Sequence, residues 1–221
     1  METNTVDRPQ TAIRRSENER FSPKDCMLGA LEQLVQVGRP GRLTVPAAGT
    51  VWVDPERALC WPQFKDEDAF LATPSAEAQV EWVPVAENAG SSIPLEELLW
   101  KTAWQASGGA LLDRCQPYDV VELRYWPNFT RLPHVDSLFP LCSLLSHRPS
   151  SLSFARRMLR LPETDAFRFY SAATAAGLVR VVSAQPARKG SDGASRGSAT
   201  DDREQGVGAF WGRLFKRISG L

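Results

Sequence analysis

No apolar run in this chain approaches the roughly 18 to 20 residues that a membrane-spanning helix requires, so nothing in its 221 residues reads as a span. Met1 to Arg20 lacks the apolar core of a secretory signal. The expected compartment is therefore the cytoplasm, with recruitment to a complex or to the inner membrane surface left open. Net charge is missing too. Lys plus Arg and Asp plus Glu stand at 26 each, so no global field draws the chain to nucleic acid, although a neutral total can conceal local patches. Cysteine is sparse and scattered: Cys26, Cys60, Cys115 and Cys142 include no close pair of the kind structural zinc sites use, and each sits among apolar neighbours. They read as buried, reduced thiols.

Histidine is scarcer still. His134 and His147 stand beside Pro133 and Arg148-Pro149 with no cysteine, serine elbow or carboxylate pair close by, which leaves neither a triad nor a metal set. A phosphate-binding glycine loop is also absent, and Gly38 to Gly41 has the look of a turn rather than a dinucleotide fingerprint. No catalytic residue, cofactor or metal ligand is expected, and the chain reads as a binding protein without turnover.

What the chain has is enough apolar content, 43%, to build one or two small domains between polar ends. Residues 1–20 are polar and charged with only Val6 and Ile13 as branched aliphatics, too little to offset the entropy of ordering. Ser22 offers an N-cap, Pro23 suits a first helical position and Asp25 favours a first turn. Met27, Leu28, Leu31, Leu34 and Val35 then recur at helical spacing until Gly38. The period shortens to that of strands at Leu43 to Val45, Val51 to Val53 and Ala58 to Trp61, separated by Pro46 to Gly49 and by Asp54-Pro55-Glu56-Arg57. These predict hairpin-linked antiparallel strands. A short helix around Asp66 to Leu71 and a strand within Gln79 to Val85 follow. Ile93-Pro94 introduces a helix whose Leu95, Leu98, Leu99, Thr102, Ala103 and Ala106 share a face up to Gly108-Gly109. Trp100 and Trp104, one turn apart, are expected to pack on the region that follows.

Met27 to Val35, Gly38 to Val45, Gly49 to Asp54, Ala58 to Trp61 and Ile93-Pro94-Leu95-Glu96-Glu97-Leu98-Leu99 together resemble the bacterial PATAN domain. The likeness runs over roughly residues 24–108, about two fifths of the chain, and rests on apolar and turn positions rather than on chemical groups. One departure is visible: the family often has glycine after the acidic turn residue, where this chain has Asp54-Pro55-Glu56-Arg57. The resemblance implies a protein-interaction module of bacterial signalling without catalysis. It also implies partners of the kind found there: a response regulator, a small GTPase or a motility-associated complex.

Beyond a possible strand at Val120 to Trp126, the pattern reads helix, helix, helix, strand. Val135, Leu138, Phe139, Cys142 and Leu145 form one apolar face, with Pro140 bending it or marking an early turn. Ser151 caps a second helix whose face is Leu152, Ala155, Met158 and Leu159; Pro162, Glu163 and Asp165 open a third through Phe167, Tyr170, Ala173 and Thr174 to Gly177; and Leu178 to Val182 is a strand. This order resembles a winged helix, a shape shared by DNA binders and protein-interaction modules. Arg131, Arg148, Arg156, Arg157, Arg160, Arg168 and Arg180 outnumber Asp136, Glu163 and Asp165. Even so, the third helix opens on Glu163 and Asp165, which would repel phosphate, and offers only Arg168 as an exposed basic group. DNA binding is the disfavoured alternative.

The fold class expected is thus α+β: a PATAN-like domain over 21–127, then a winged-helix-like domain over 128–182, with a disordered N-terminus at 1–20. A Gly-, Ser- and Ala-rich linker spans 183–205, and 206–221 forms an amphipathic basic segment. In that segment Phe210, Trp211, Leu214, Phe215 and Ile218 line one side, with Arg213, Lys216 and Arg217 between them. Gly206, Gly208, Gly212 and Gly220 weaken an isolated helix by up to ~1 kcal/mol each, so the segment should order on contact. Its cover could be the protein's own body, a partner groove or a membrane surface. The organisation suits a signalling adaptor that recruits a protein through this segment. A winged-helix transcription regulator and a peripheral membrane regulator are the alternatives.

Overall fold

The fold is known from a computed structural model that describes residues 19–86 and 89–183. In chain order the elements are β1 (Arg20–Phe21), α1 (Met27–Val37), β2 (Gly41–Val45), β3 (Gly49–Asp54), β4 (Leu59–Phe64), α2 (Glu67–Ala72), β5 (Gln79–Glu81), β6 (Ile93–Pro94) and α3 (Leu95–Ser107). They continue with β7 (Leu111–Leu112), β8 (Val120–Leu123), α4 (Leu138–His147), β9 (Ser150–Ser151), α5 (Leu152–Leu159), α6 (Glu163–Ala175) and β10 (Val179–Ser183). The architecture is α+β, with helices against antiparallel sheets.

The apolar stripe of α1 is buried from Met27 to Val35, and Gly38 ends the helix in the left-handed conformation, its N–H bonded to the Leu34 and Val35 carbonyls. The start differs from the expectation. Pro23–Asp25 is a separate 3-10 turn, Ser22 makes no side-chain cap, and α1 begins only at Met27 after an extended Cys26. The turn folds so tightly onto the helix that a β-carbon at position 29 would collide with the Pro23 carbonyl, so Gly29 permits the break.

Five strands pair in the order β5-β2-β3-β4-β6, with Leu43 opposite Val51 and Val53 opposite Cys60. Alternation sends Leu43, Val45, Val51, Val53 and Cys60 into the core. The β3–β4 turn is held by the Asp54 carboxylate, which accepts from the N–H groups of Glu56 and Arg57 at 3.0 and 3.1 Å. The residue that takes positive φ in this turn is Ala58. On the opposite sheet face Trp52 lies across from Trp61 and Arg42, with the Arg42 guanidinium 6.0 Å from its ring. Trp52 is nonetheless buried. Gln63 Nε2, on the same strand as Trp61, donates to the Ala89 carbonyl at 3.1 Å, which ties Ala89 to β4.

The second sheet, β10-β8-β9, is also antiparallel. Val120–Leu123 belongs to it, and α4, α5 and α6 pack around it. Pro140 sits in the first turn of α4, where no intrahelical N–H is needed. The Ser151 hydroxyl caps α5 by accepting from Phe154 N–H. Between the two sheets α3 lies against α6. Trp100 is fully buried, donates from Nε1 to the Pro133 carbonyl at 3.0 Å, stacks on Trp104 at 6.1 Å and meets Phe169 edge-on at 5.9 Å. The tryptophans therefore pack on the region that follows them in sequence, as their spacing predicts. One continuous apolar cluster runs from Met27 to Leu178.

Replacing Trp100 by Ala should lower unfolding free energy by about 3–5 kcal/mol, through the void and the unpaired Pro133 carbonyl. Trp126→Ala, at a half-exposed site, should change it by no more than about 0.5 kcal/mol. Urea titrations of the two variants decide this, and similar midpoints would contradict the placement of Trp100.

Candidate functional site

Phe210, Trp211, Arg213, Leu214, Phe215, Lys216, Arg217 and Ile218, the expected partner-binding residues, lie outside the described residues. The candidates that remain must be sorted by what each chemical group already does.

The thiols are spoken for. Cys60, Cys115 and Cys142 are buried, and burial pushes their thiols up to about 12, 11 and 12 respectively. Cys26 is half-buried with its thiol also raised by desolvation. A thiol held that high carries almost no thiolate at neutral pH. His134 has Nδ1 2.9 Å from the Leu132 carbonyl and its ring 4.8 Å from Phe129, while His147 Nδ1 lies 2.8 Å from the Ser143 carbonyl. Both rings serve local packing or capping. A polar groove of about 280 Å³ near α1 is lined by Lys24, Glu32, Asp113 and Arg114 among others, and Arg114 is bonded to Glu32 at 2.7 Å. Lys24 and Arg114 balance Glu32 and Asp113 in formal charge, so the groove presents no net charge.

One polar cluster is sealed in the interior. Asp119 Oδ2 accepts from Tyr170 OH at 2.8 Å and from Gln116 N–H at 2.7 Å, and Cys115 Sγ lies 3.5 Å from Thr174 Oγ1. This pins the loop from Asp113 to Asp119 to α6, and Arg20 clamps it from outside through the Cys115 and Asp113 carbonyls. Desolvation raises the Asp119 carboxyl above its ordinary range, against the lowering effect of those two donors. Burial likewise raises the Tyr170 hydroxyl, so it stays a donor.

The arginines separate sharply. Arg131 pairs with Glu97 at 3.1 Å, Arg156 with Glu163 at 2.8 Å and Arg180 with Glu122 at 2.5 Å. Arg168, read from sequence as the exposed basic group of the third helix, instead lies 4.4 Å from the Trp104 ring and donates from Nε to its carbonyl at 2.8 Å. It belongs to the α3–α6 contact. Arg148, Arg157 and Arg160 are exposed and have no acidic partner among the described residues. Arg157 and Arg160 ride on α5 and its C-cap, and Arg148 stands at the turn leading into it.

Beside them lie three of the large apolar side chains that the core leaves out. Phe154 is 52% exposed and Met158 50%, one helical turn apart on α5. Tyr118, 60% exposed, follows Pro117, whose carbonyl accepts from both the N–H and the hydroxyl of Ser153. Met158 corrects the sequence reading, which put it on the buried face. Leu152 and Ala155 set that face, and at 3.6 residues per turn Met158 falls roughly a quarter-turn away from it. Phe139 of α4 was likewise expected inside. It is half-exposed, its ring lying edge-on to Phe129 at 5.0 Å. Sequence periodicity could not single out this face, because an eight-residue helix samples barely two turns.

Among the described residues no helix is long and apolar enough to cross a membrane. Comparisons of the chain with protein-family models, with curated proteins and with solved structures find no match.

The raised Asp119 carboxyl means the folded protein holds that proton more tightly than the unfolded chain does. Its contribution to stability is fully present below the ordinary carboxylate value and is lost as pH rises through the folded value. Asp119→Asn keeps the acceptor oxygen, so the stability of the native chain relative to this variant should fall between pH 3 and pH 7. Asp119→Ala, which strips the acceptor from Tyr170 and Gln116, should lose about 1–3 kcal/mol at every pH. Denaturant titrations across pH check both, and a native-minus-Asn difference that grows with pH would overturn the assignment.

Proposed function

We propose that this protein is a non-enzymatic signalling adaptor that acts by docking on other proteins. In this reading residues 24–108 form a PATAN-like module, which the order of α1, the β2–β3–β4 hairpins and α3 supports. Residues 128–182 form a winged-helix-like module, supported by the succession α4, β9, α5, α6, β10. The observation that carries the proposal is the α5 face, where Phe154 and Met158 stand half-exposed beside guanidinium groups with no acidic partner among the described residues. Large apolar side chains ringed by polar groups mark contact surfaces more often than idle ones.

The C-terminal segment supplies the second contact. Phe210, Trp211, Leu214, Phe215 and Ile218 would anchor it, and Arg213, Lys216 and Arg217 would steer it toward an acidic surface. Against the alternative of a transcription regulator stand Arg168, engaged with Trp104, and the acidic opening of α6 at Glu163 and Asp165. A response regulator, a small GTPase or a motility-associated complex remain the partner classes that the PATAN likeness suggests.

The test is affinity capture with full-length protein, with a truncation after Gln205, and with Trp211→Ala/Leu214→Ala. On this reading the double variant should melt within about 2 °C of the native chain while losing its partner, since side chains reserved for another molecule add little to the fold. A large drop in melting temperature would show the segment packed on its own body. Salt-steep DNA affinity that survives deletion of residues 206–221 would favour the transcription regulator instead.

A further inference from the structure

Resting on the adaptor reading, we infer that the exposed face of α5 is a docking site for an acidic, amphipathic helical segment of a protein partner. Its chemistry has two halves. Phe154 and Met158, with Tyr118 at the N-terminal end, present an apolar strip about one helical turn long on α5, suited to apolar residues at i, i+3, i+4 spacing on an incoming helix. Arg157 and Arg160 flank that strip, with Arg148 at the turn before α5, and all are exposed. Arg157 Nε is bonded to the Ser153 carbonyl at 3.2 Å, which anchors the stem of the side chain and leaves its terminal nitrogens to an outside acceptor. Carboxylates on the flanks of an incoming helix would take these guanidinium groups as bidentate partners.

The rival occupants fit only one half each. A nucleic acid would use the guanidinium groups but has nothing to set against Phe154 and Met158, and so few phosphate contacts give weak binding. The chain's own terminal segment offers Phe210, Trp211 and Leu214 for the apolar strip, but its Arg213, Lys216 and Arg217 would meet like charge on α5. A second copy of the same face fails for the same reason. An anionic membrane would accept both halves. However, α5 is an eight-residue helix with Leu152 and Ala155 fixed in the core, so it cannot roll to bury a full apolar face in lipid.

Selection of random display peptides on the full-length protein reads this chemistry directly. Enriched peptides should carry apolar residues at helical spacing flanked by Asp and Glu. Their binding should weaken at least tenfold on the chain carrying Arg157→Glu/Arg160→Glu and on the chain carrying Phe154→Ser/Met158→Ser. Both variants must retain the native circular dichroism and melting profile, and Arg157→Lys/Arg160→Lys should restore part of the binding if the charge reversal unfolds α5. The same protein is titrated with vesicles of phosphatidylglycerol and phosphatidylethanolamine and with a thymidine 20-mer. The inference is overturned if selection yields no acidic amphipathic consensus, or if the enriched peptides bind both variants undiminished. It is also overturned if vesicles or the oligonucleotide bind more tightly than the peptides in a manner that depends on Arg157 and Arg160. Truncation after Gln205 separates the two readings. Peptide binding that survives it supports the α5 site, while loss of partner capture in the same truncation bears only on the tail; peptide binding that vanishes with the truncation assigns the site to the tail and sinks the α5 proposal.

Discussion

Two tryptophans one helical turn apart hold this molecule together across its middle. Trp100 and Trp104 stack on α3, and from α6 Phe169 meets Trp100 edge-on while the Arg168 guanidinium lies over Trp104. Ala166, Ala172 and Ala173 of α6 are buried as well, and so is Ser171, whose hydroxyl accepts from Leu112 N–H at 2.9 Å and ties the helix to β7. Large rings from both helices set among small side chains give the interdigitation that dense cores need. The five-stranded sheet lies on one side of this contact and the three-stranded sheet on the other, so the relative position of the two halves follows from it.

That contact also explains how charge is distributed over the surface. The α3–α6 packing absorbs Arg168, and Glu97, buried on α3, absorbs Arg131 from the following loop. The start of α6 brings Glu163 to Arg156, and the β8–β10 pairing brings Glu122 to Arg180. Among the described residues, and Arg168 aside, a region that looks basic in sequence thus keeps arginines without an acidic partner only on α5, at its C-cap and at Arg148 before it. Exposed ion pairs of this kind add little stability. Their consequence is the pattern they leave: guanidinium groups with no acidic partner among the described residues on α5, at its C-cap and at the turn before it, beside two large apolar side chains of the same helix.

Most of the secondary structure was legible in the sequence, and for local reasons. Gly38 and Gly108 end α1 and α3 in left-handed caps, Ser151 caps α5, and Asp54 orders the turn before β4. Each of these depends on residues a few positions apart. The 3-10 turn before α1 was missed because Pro23 and Asp25 are equally at home in a first α-turn, and only the close approach at Gly29 decides between them. The pairing of β8 with β10 and the fate of each arginine were out of reach. Their partners lie far along the chain, as in Arg131 with Glu97 or Tyr170 with Asp119, and periodicity carries no information about them. The exposed face of α5 was hidden for a different reason: in so short a helix, Met158 at the edge of the apolar arc looks like a core residue until its neighbours are in place.

The α5 face and the terminal segment share one chemistry, large apolar side chains interleaved with Arg or Lys, and this likeness constrains how they can act together. Two surfaces with the same charge do not cover each other, but both are complementary to a partner that is acidic and apolar. Under the adaptor proposal, a coil of ~23 residues between the two would have a root-mean-square reach of ~25–30 Å, comparable with the width of a small domain. Engagement of either surface would then raise the effective concentration of the other at the same partner, so that two weak contacts act as one strong one. Strength of this origin needs no deep pocket, which agrees with a body whose polar groove is shallow in charge and whose thiols and histidines are committed to packing. The proposal also sets a condition on any such partner: its acidic surface would have to be broad enough to seat α5 and the terminal segment side by side, since a single narrow groove would make them compete.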